Sequence, residues 1–234
     1  MSGYVIGDIH NSLSKLNSIL DQISPSLHDT VYLLGDLFDR GADDPDPVGV
    51  FFKISGLSCT VKWIKGNHDA SLAAYIYEYY GLQENKRSSL RPYEYNSFNL
   101  LKERLVEADM LNLADIIQML PLQLEIEICS NRYLLAHAMT HNPADEVRKP
   151  SDYLEGVARM EEYWEKGVPG YISFVGHTDV SYQYKSKAGQ YLDDPHTSIW
   201  RNNSGNVYMM DCGCGLPGGR LAAICLETGE RFYA

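Results

Sequence analysis

Six times along this chain a short apolar run stops and gives way to a polar cluster. The runs are Tyr4–Ile6 before GDIH, Val31–Leu34 before GDLFDRG and Val61–Ile64 before KGNHD, then Tyr133–Ala136 before His137, Tyr171–Val175 before GHT and Val207–Met210 before Asp211. Runs this short, rich in Val, Ile and Tyr, read as buried strands. Between them lie helical spacings. Leu13, Leu16, Leu20 and Ile23 predict an amphipathic helix over 12–23, and 70–80, 97–110 and 152–165 are further helix candidates. Strand–helix alternation predicts an α/β or mixed α+β fold. In such folds the loops at the carboxyl ends of strands collect the function, so the six polar clusters are expected to converge on one site.

Composition narrows what that site can attract. The 234 residues contain no repeat and no linker-like stretch, so one domain over 1–234 is expected. Twenty Lys plus Arg against thirty-one Asp plus Glu give a net charge of −11. That balance argues against broad capture of nucleic acid or an anionic membrane. An anionic substrate therefore needs a local positive feature. No apolar run approaches the roughly 18 residues of a membrane span, and the N-terminus MSGYVIGDIH has no secretory pattern. Five Cys, an odd number, point to reduced thiols and a cytoplasmic protein. Nothing in the sequence sets an oligomeric state.

The polar clusters supply the positive feature. Asp8 and His10, two apart in an extended segment, can reach one cation. GDLFDRG brings Asp36, Asp39 and Arg40; KGNHD brings Asn67 and His68; His137 and His177 each close a strand. His28 and His196 read as solvated, and His141 as an alternative ligand. Asp8, His10, Asp36, Asn67, His137 and His177 form an oxygen-and-imidazole set without thiolate, which suits Mn, Fe, Zn or Ni rather than Ca. Six such groups exceed what one tetrahedral ion needs, whereas two ions about 3.5–4 Å apart with a bridging carboxylate use them all. Two divalent cations against two carboxylates leave the pocket positive. Cys212-Gly-Cys214 has no second thiol pair to close a thiolate site.

The order GD-x-H, GD-x-x-DRG, GNHD, a lone His and then GH, running from Gly7 to about Leu221, resembles the phosphoprotein phosphatase family of calcineurin-like metallophosphoesterases, most of all its short bacterial and phage serine/threonine phosphatase type. The resemblance implies a central β-sandwich flanked by helices. It implies a first metal on Asp8, His10 and Asp36 and a second on Asp36, Asn67, His137 and His177, with Asp36 bridging and Mn the leading choice. His68 would be the general acid, oriented by Asp39, and Arg40 would clamp the phosphate. A second phosphate-binding Arg is implied between the last two ligand histidines, and Arg159 is favoured over Arg148. Asn11 and Ala138 stand where many relatives carry Gly, and Asp69 where Glu is commoner.

The expected reaction is direct hydrolysis of a phosphate ester by metal-activated water. The first expectation for substrate is phosphoserine and phosphothreonine in protein, with a small phosphoester also admissible. Symmetrical hydrolysis of diadenosine tetraphosphate is the alternative, because those hydrolases share these motifs. A non-catalytic, metal-stabilised binding domain stands lower, since such a domain needs none of His68, Asp39 and Arg40. The crowd of Tyr75, Tyr77, Tyr79, Tyr80, Tyr93 and Tyr95 reads as a packed helix face, and otherwise as a wall for a nucleotide base.

Overall fold

The computed structural model describes residues 1–146, 148–157 and 160–234. In chain order the first half contains β1 (Gly3–Ile6), α1 (Leu13–Ile23), β2 (Thr30–Leu33), α2 (Pro47–Ser55), β3 (Thr60–Trp63), α3 (Asn67–Gly81), α4 (Glu84–Arg87), α5 (Ser97–Lys102) and α6 (Glu107–Met119). The second half contains β4 (Gln123–Ile128), β5 (Asn131–Ala136), α7 (Pro150–Leu154), α8 (Met160–Lys166), β6 (Ile172–Val175), β7 (Gly189–Tyr191), β8 (Trp200–Asn202), β9 (Val207–Met209), β10 (Ala222–Cys225) and β11 (Arg231–Tyr233). A 3-10 turn, Val180–Gln183, follows β6.

The strands form two sheets, ordered β11-β10-β1-β2-β3 and β4-β5-β6-β9-β8-β7. Each is built on three parallel strands: β1, β2 and β3 in the first, β5, β6 and β9 in the second. These are the six strands expected from sequence. Because strand side chains alternate, Val5, Tyr32 and Leu34 enter the core between the sheets, where they meet Leu134, Phe174, Trp200 and Met209. Ile6, Val31 and Leu33 point the other way, under Leu16 and Ile19 of α1, Leu72 and Ile76 of α3, and Met110 and Leu113 of α6. The expected sandwich of two sheets flanked by helices is therefore present. It sets two triplets of parallel strand ends on one rim.

Three local differences have physical causes. The helix expected over 97–110 is broken into α5 and α6, and the turn between them is tied by Arg104 Nη1 to Asp46 Oδ1 at 2.6 Å. Phe98 of α5 buries against Tyr75 and Tyr79 of α3, while α6 buries a separate stripe, Met110, Leu113, Ala114 and Ile117. The helix expected over 152–165 is likewise divided, with Gly156 left-handed at φ +79 after α7. β4, QLEIEI, was not expected as a strand, although its strict alternation is a strand signal.

Cys59, Cys129, Cys212, Cys214 and Cys225 form no disulfide. Among the described residues no helix is long and apolar enough to cross a membrane.

Candidate metal centre

All six parallel strands deliver their next residues to one place. Asp8 and His10 follow β1, Asp36, Asp39 and Arg40 follow β2, and Asn67 and His68 begin α3 just after β3. His137 follows β5, His177 follows β6 and Asp211 follows β9. The ligand atoms of Asp8, His10 and Asp36 lie within 4.8 Å of one another, and so do those of Asp36, His137 and His177. Asp36 belongs to both groups. Its Oδ2 lies 3.8 Å from His10 Nε2 and 3.3 Å from His137 Nε2, while Oδ1 accepts the His68 backbone N–H at 2.9 Å. Asn67 Oδ1 completes the second group, 2.8 Å from His137 Nε2 and 3.0 Å from His177 Nδ1. All six expected ligands are brought together.

The far side of two of the three rings is already spoken for. His10 Nδ1 meets the Phe38 carbonyl at 3.1 Å and His137 Nδ1 meets the Leu34 carbonyl at 2.9 Å, so in both rings Nδ1–H donates outward and Nε2 is turned to the pocket. Asp8 Oδ1 and His10 Nε2 are buried and have no hydrogen-bond partner among the described residues. Buried polar atoms are rarely left so, and both are ligand atoms of one group. The residues present therefore fit a divalent ion in each group, with Asp36 common to both.

The electrostatics agree. Burial pushes the Asp8 carboxyl well above the usual range, with nearby Asp211 and Asp36 adding to it. Burial takes His10 down to about 4, and burial with the charge on His137 takes His177 to about 4 as well. Burial also opposes charge on His137, but the facing Asp36 outweighs it and raises that ring to about 10. Against its own burial, Asp36 is held well below the carboxylate range by His137 and His10. Neutral His10 and His177 and an anionic Asp36 are the metal-binding forms; Asp8 and His137 would release protons as cations entered.

The close fit is built into the backbone. Gly35 turns with φ +97, and a Cβ there would come 2.6 Å from the Gly66 nitrogen. A Cβ on Gly176 would come 1.9 Å from Asp8 Oδ1, so no other residue leaves room for that carboxylate. His10, Asn11, Asp36, Asp39, Arg40 and His177 all have φ between +46 and +67. Left-handed conformations cost about 1–3 kcal/mol each in residues other than Gly, and here they gather around one pocket. Asn11 shows why Gly is dispensable at its position: Asn tolerates this region well, and its side chain bonds Ser97 Oγ at 3.0 Å. Asp69 is firmly held as well, since its carboxylate accepts from Leu37 N, Gly66 N and Trp63 Nε1 at 3.0–3.3 Å.

Beside the ligands, His68 Nδ1 meets Asp39 Oδ2 at 3.0 Å, both side chains being buried. Nε2 is then the ring position left for a substrate oxygen. Asp39 is fixed by Ser97 N–H on Oδ1 and by Tyr93 O–H on Oδ2. Tyr95 packs 4.4 Å from the His68 ring on the other side. Tyr75, Tyr79, Tyr80 and Tyr93 do form a packed face against the helix-side core. Arg40 is exposed, and among the described residues its guanidinium makes no ion pair. It lines a cleft of about 410 Å³ together with His177, Asp179, Tyr182 and Asp211.

The second phosphate-binding Arg is not settled in the same way. Arg159 lies outside the described residues. Arg148 lines clefts that contain none of the six ligand side chains, and His141, packed 4.8 Å from Tyr153, shares one of these and joins neither ligand group. His28 is exposed as expected, but His196 is half-buried between Tyr184 and Tyr191. Sequence reasoning also missed Asp211, a buried acid that burial raises to about 6, and Tyr93, whose link to Asp39 spans 54 residues. Asp211 did carry a signal, as the sixth strand-end residue.

The calcineurin-like phosphoesterase family model matches residues 1–209. Symmetrical bis(5'-nucleosyl)-tetraphosphatases are similar over a shorter stretch. That of Buchnera aphidicola is 38% identical over 91 residues, covering 38% of this chain and 31% of its own. That of Pectobacterium atrosepticum is 39% identical over 87 residues, covering 37% and 29%. The matched stretch is thus about a third of either relative's length. Among solved structures, a chain provisionally described as a diadenosine tetraphosphatase superposes with TM-score 0.63 at 20% identity, over all of this chain and 92% of its own. A serine/threonine protein phosphatase from Saccharomyces cerevisiae gives 0.57 at 14%, over 98% and 73%. At such identities the two structures attest the fold alone. With a family model that spans most of the sequence and a fold that agrees, the chain belongs to the calcineurin-like phosphoesterases.

Proposed function

We propose that the chain, acting as one domain over 1–234, is a two-metal hydrolase of dinucleoside polyphosphates that cuts diadenosine tetraphosphate and water into two ADP. The observation that carries this reading is the 38–39% identity to tetraphosphatases named for symmetrical cleavage. The protein-phosphatase expectation rested on motifs that both substrate classes share, and the yeast likeness, one of fold, adds nothing specific to it.

Asp8, His10 and Asp36 would hold one divalent ion, and Asp36, Asn67, His137 and His177 the other, manganese being the first choice. Such ions, when bound, supply an activated water and stabilise charge on phosphoryl oxygens. The protein's own groups do the rest. Arg40 engages two phosphoryl oxygens through its planar fork. His68 presents Nε2–H to the oxygen of the breaking P–O bond and gives up its proton as ADP leaves. Asp39 keeps Nδ1 engaged, so the ring is held in orientation as its Nε2 proton leaves.

Turnover of diadenosine tetraphosphate, a phosphoserine peptide and an aryl phosphate by Mn-loaded protein tests the reading. The dinucleotide is expected to give the highest kcat/KM. A peptide preferred by tenfold or more would return the protein-phosphatase reading in its place.

A further inference from the structure

The geometry points to a base-binding subsite in the cleft beside His177, taking the heterocyclic base of a nucleotide whose phosphate lies at the metal centre. The inference rests on the nucleotide chemistry proposed above. The cleft holds about 580 Å³, and its walls include Trp164, His177, Tyr182, Gln183, Tyr184 and Lys185. That volume is typical of small-molecule sites. His177 is also a member of the second ligand group, so the cleft adjoins the metal centre.

Its walls have the chemistry of a base site. Tyr182 and Tyr184 remain 79% and 58% exposed, an unusual expense of aromatic surface unless something covers it. They are presented by the 3-10 turn Val180–Gln183, which is anchored by buried Val180 and by Asp179 accepting from Ser181 N at 2.7 Å. Tyr184 does not sweep freely, because His196 packs against it at 4.5 Å and Tyr191 packs on His196 at 5.5 Å. Trp164 of α8 forms a further aromatic wall. Rigid aromatic faces of this kind stack on bases with little regard to sequence.

Two polar groups complete the site. Gln183 is only 5% exposed, and its amide nitrogen is buried with no hydrogen-bond partner among the described residues. A turn of this unused amide toward the cleft would offer its N–H to the polar edge of a base. Lys185 Nζ sits 5.0 Å from the Tyr184 ring centre and offers a cation for a phosphate on the same nucleotide. Tyr182 and His177 also line the Arg40 cleft, so a molecule reaching past the metals could place a part in each.

Two measurements test the subsite. The first is the ratio of kcat/KM on diadenosine tetraphosphate to that on inorganic tripolyphosphate, which has the anhydride and no base. Tyr184→Ala is expected to lower this ratio about 5- to 150-fold, the range one stacked base carries, and Tyr184→Phe to restore it. An unchanged ratio in the Ala variant overturns the subsite. The second measurement does not depend on cleavage. ADP added to Mn-loaded protein should quench the fluorescence of Trp164, identified by its loss in Trp164→Phe, since Trp63 and Trp200 are buried. If wild type fails to cleave the dinucleotide yet ADP quenches Trp164, the proposed reaction fails and the subsite stands. No quench by ADP, or a quench by a phosphoserine peptide in its place, overturns the subsite even where the dinucleotide is cleaved.

Discussion

Tyr93 donates its phenolic O–H to Asp39 at 2.6 Å, on the same Oδ2 that holds His68 Nδ1. One carboxylate oxygen thus serves both the proposed acid and a tyrosine 54 residues further along the chain. Burial, with Asp39 beside it, keeps that phenol protonated well beyond the usual range, so it is a permanent donor. Removing it with Tyr93→Phe keeps the ring packed 5.0 Å from Tyr75 and takes away only the bond. A hydrogen bond to a charged group contributes about 1.5–3 kcal/mol, and kcat is expected to fall roughly tenfold with KM little changed. A tyrosine that served packing alone would leave kcat where it is.

His68→Asn separates acid from ligand. Metal content measured by mass spectrometry should stay near wild type, because no ligand atom is lost. On alkyl phosphates, whose leaving groups need a proton, kcat should drop about 10²–10⁴-fold. Aryl phosphates should lose less. Parallel loss of bound metal would reassign His68 to the metal centre itself.

Asp36→Asn removes the one carboxylate common to both ligand groups. Bound metal and hydrolysis are expected to disappear together, and chelation of the wild-type protein should do the same, with Mn restoring turnover. Retention of full turnover by chelated protein would contradict the assignment of these groups.

The metal-free protein should also show its unfilled charges as a pH dependence. His137 is raised in the folded state from 6.5 to about 10, so the fold binds a proton there that the unfolded chain has released. Its contribution is fully present below pH 6.5 and is lost as pH rises through 10. The raised Asp8 carboxyl acts in the same direction. The melting temperature of chelated protein should therefore fall from pH 6.5 towards 10, and the fall should shrink in His137→Asn. A melting temperature that rises over this interval would contradict the pairing of His137 with Asp36.

Much of the site was legible because its ligands follow strands. Asp8, Asp36, His137 and His177 each stand within a few residues of an apolar run, and parallel strands bring such ends to one rim. What was not legible depends on distant partners. Nothing around Tyr93 announces Asp39, and Trp164, Gln183 and Tyr184 come from two segments without a motif, joined only by the way α8 and the 3-10 turn pack on the second sheet. Helix 97–110 failed for a related reason: its periodicity was real, but Phe98 and Met110 answer to different neighbours. The left-handed backbone at His10 and Asp36 is one that His and Asp adopt more readily than most residues, but no sequence signal marks which of them take it.

Product identity tests the central claim most directly. Mn-loaded protein should convert diadenosine tetraphosphate to ADP alone, two for each molecule consumed, at a kcat/KM above that for any phosphoserine peptide. Release of AMP with ATP, or intact dinucleotide alongside rapid phosphate release from the peptide, would contradict it.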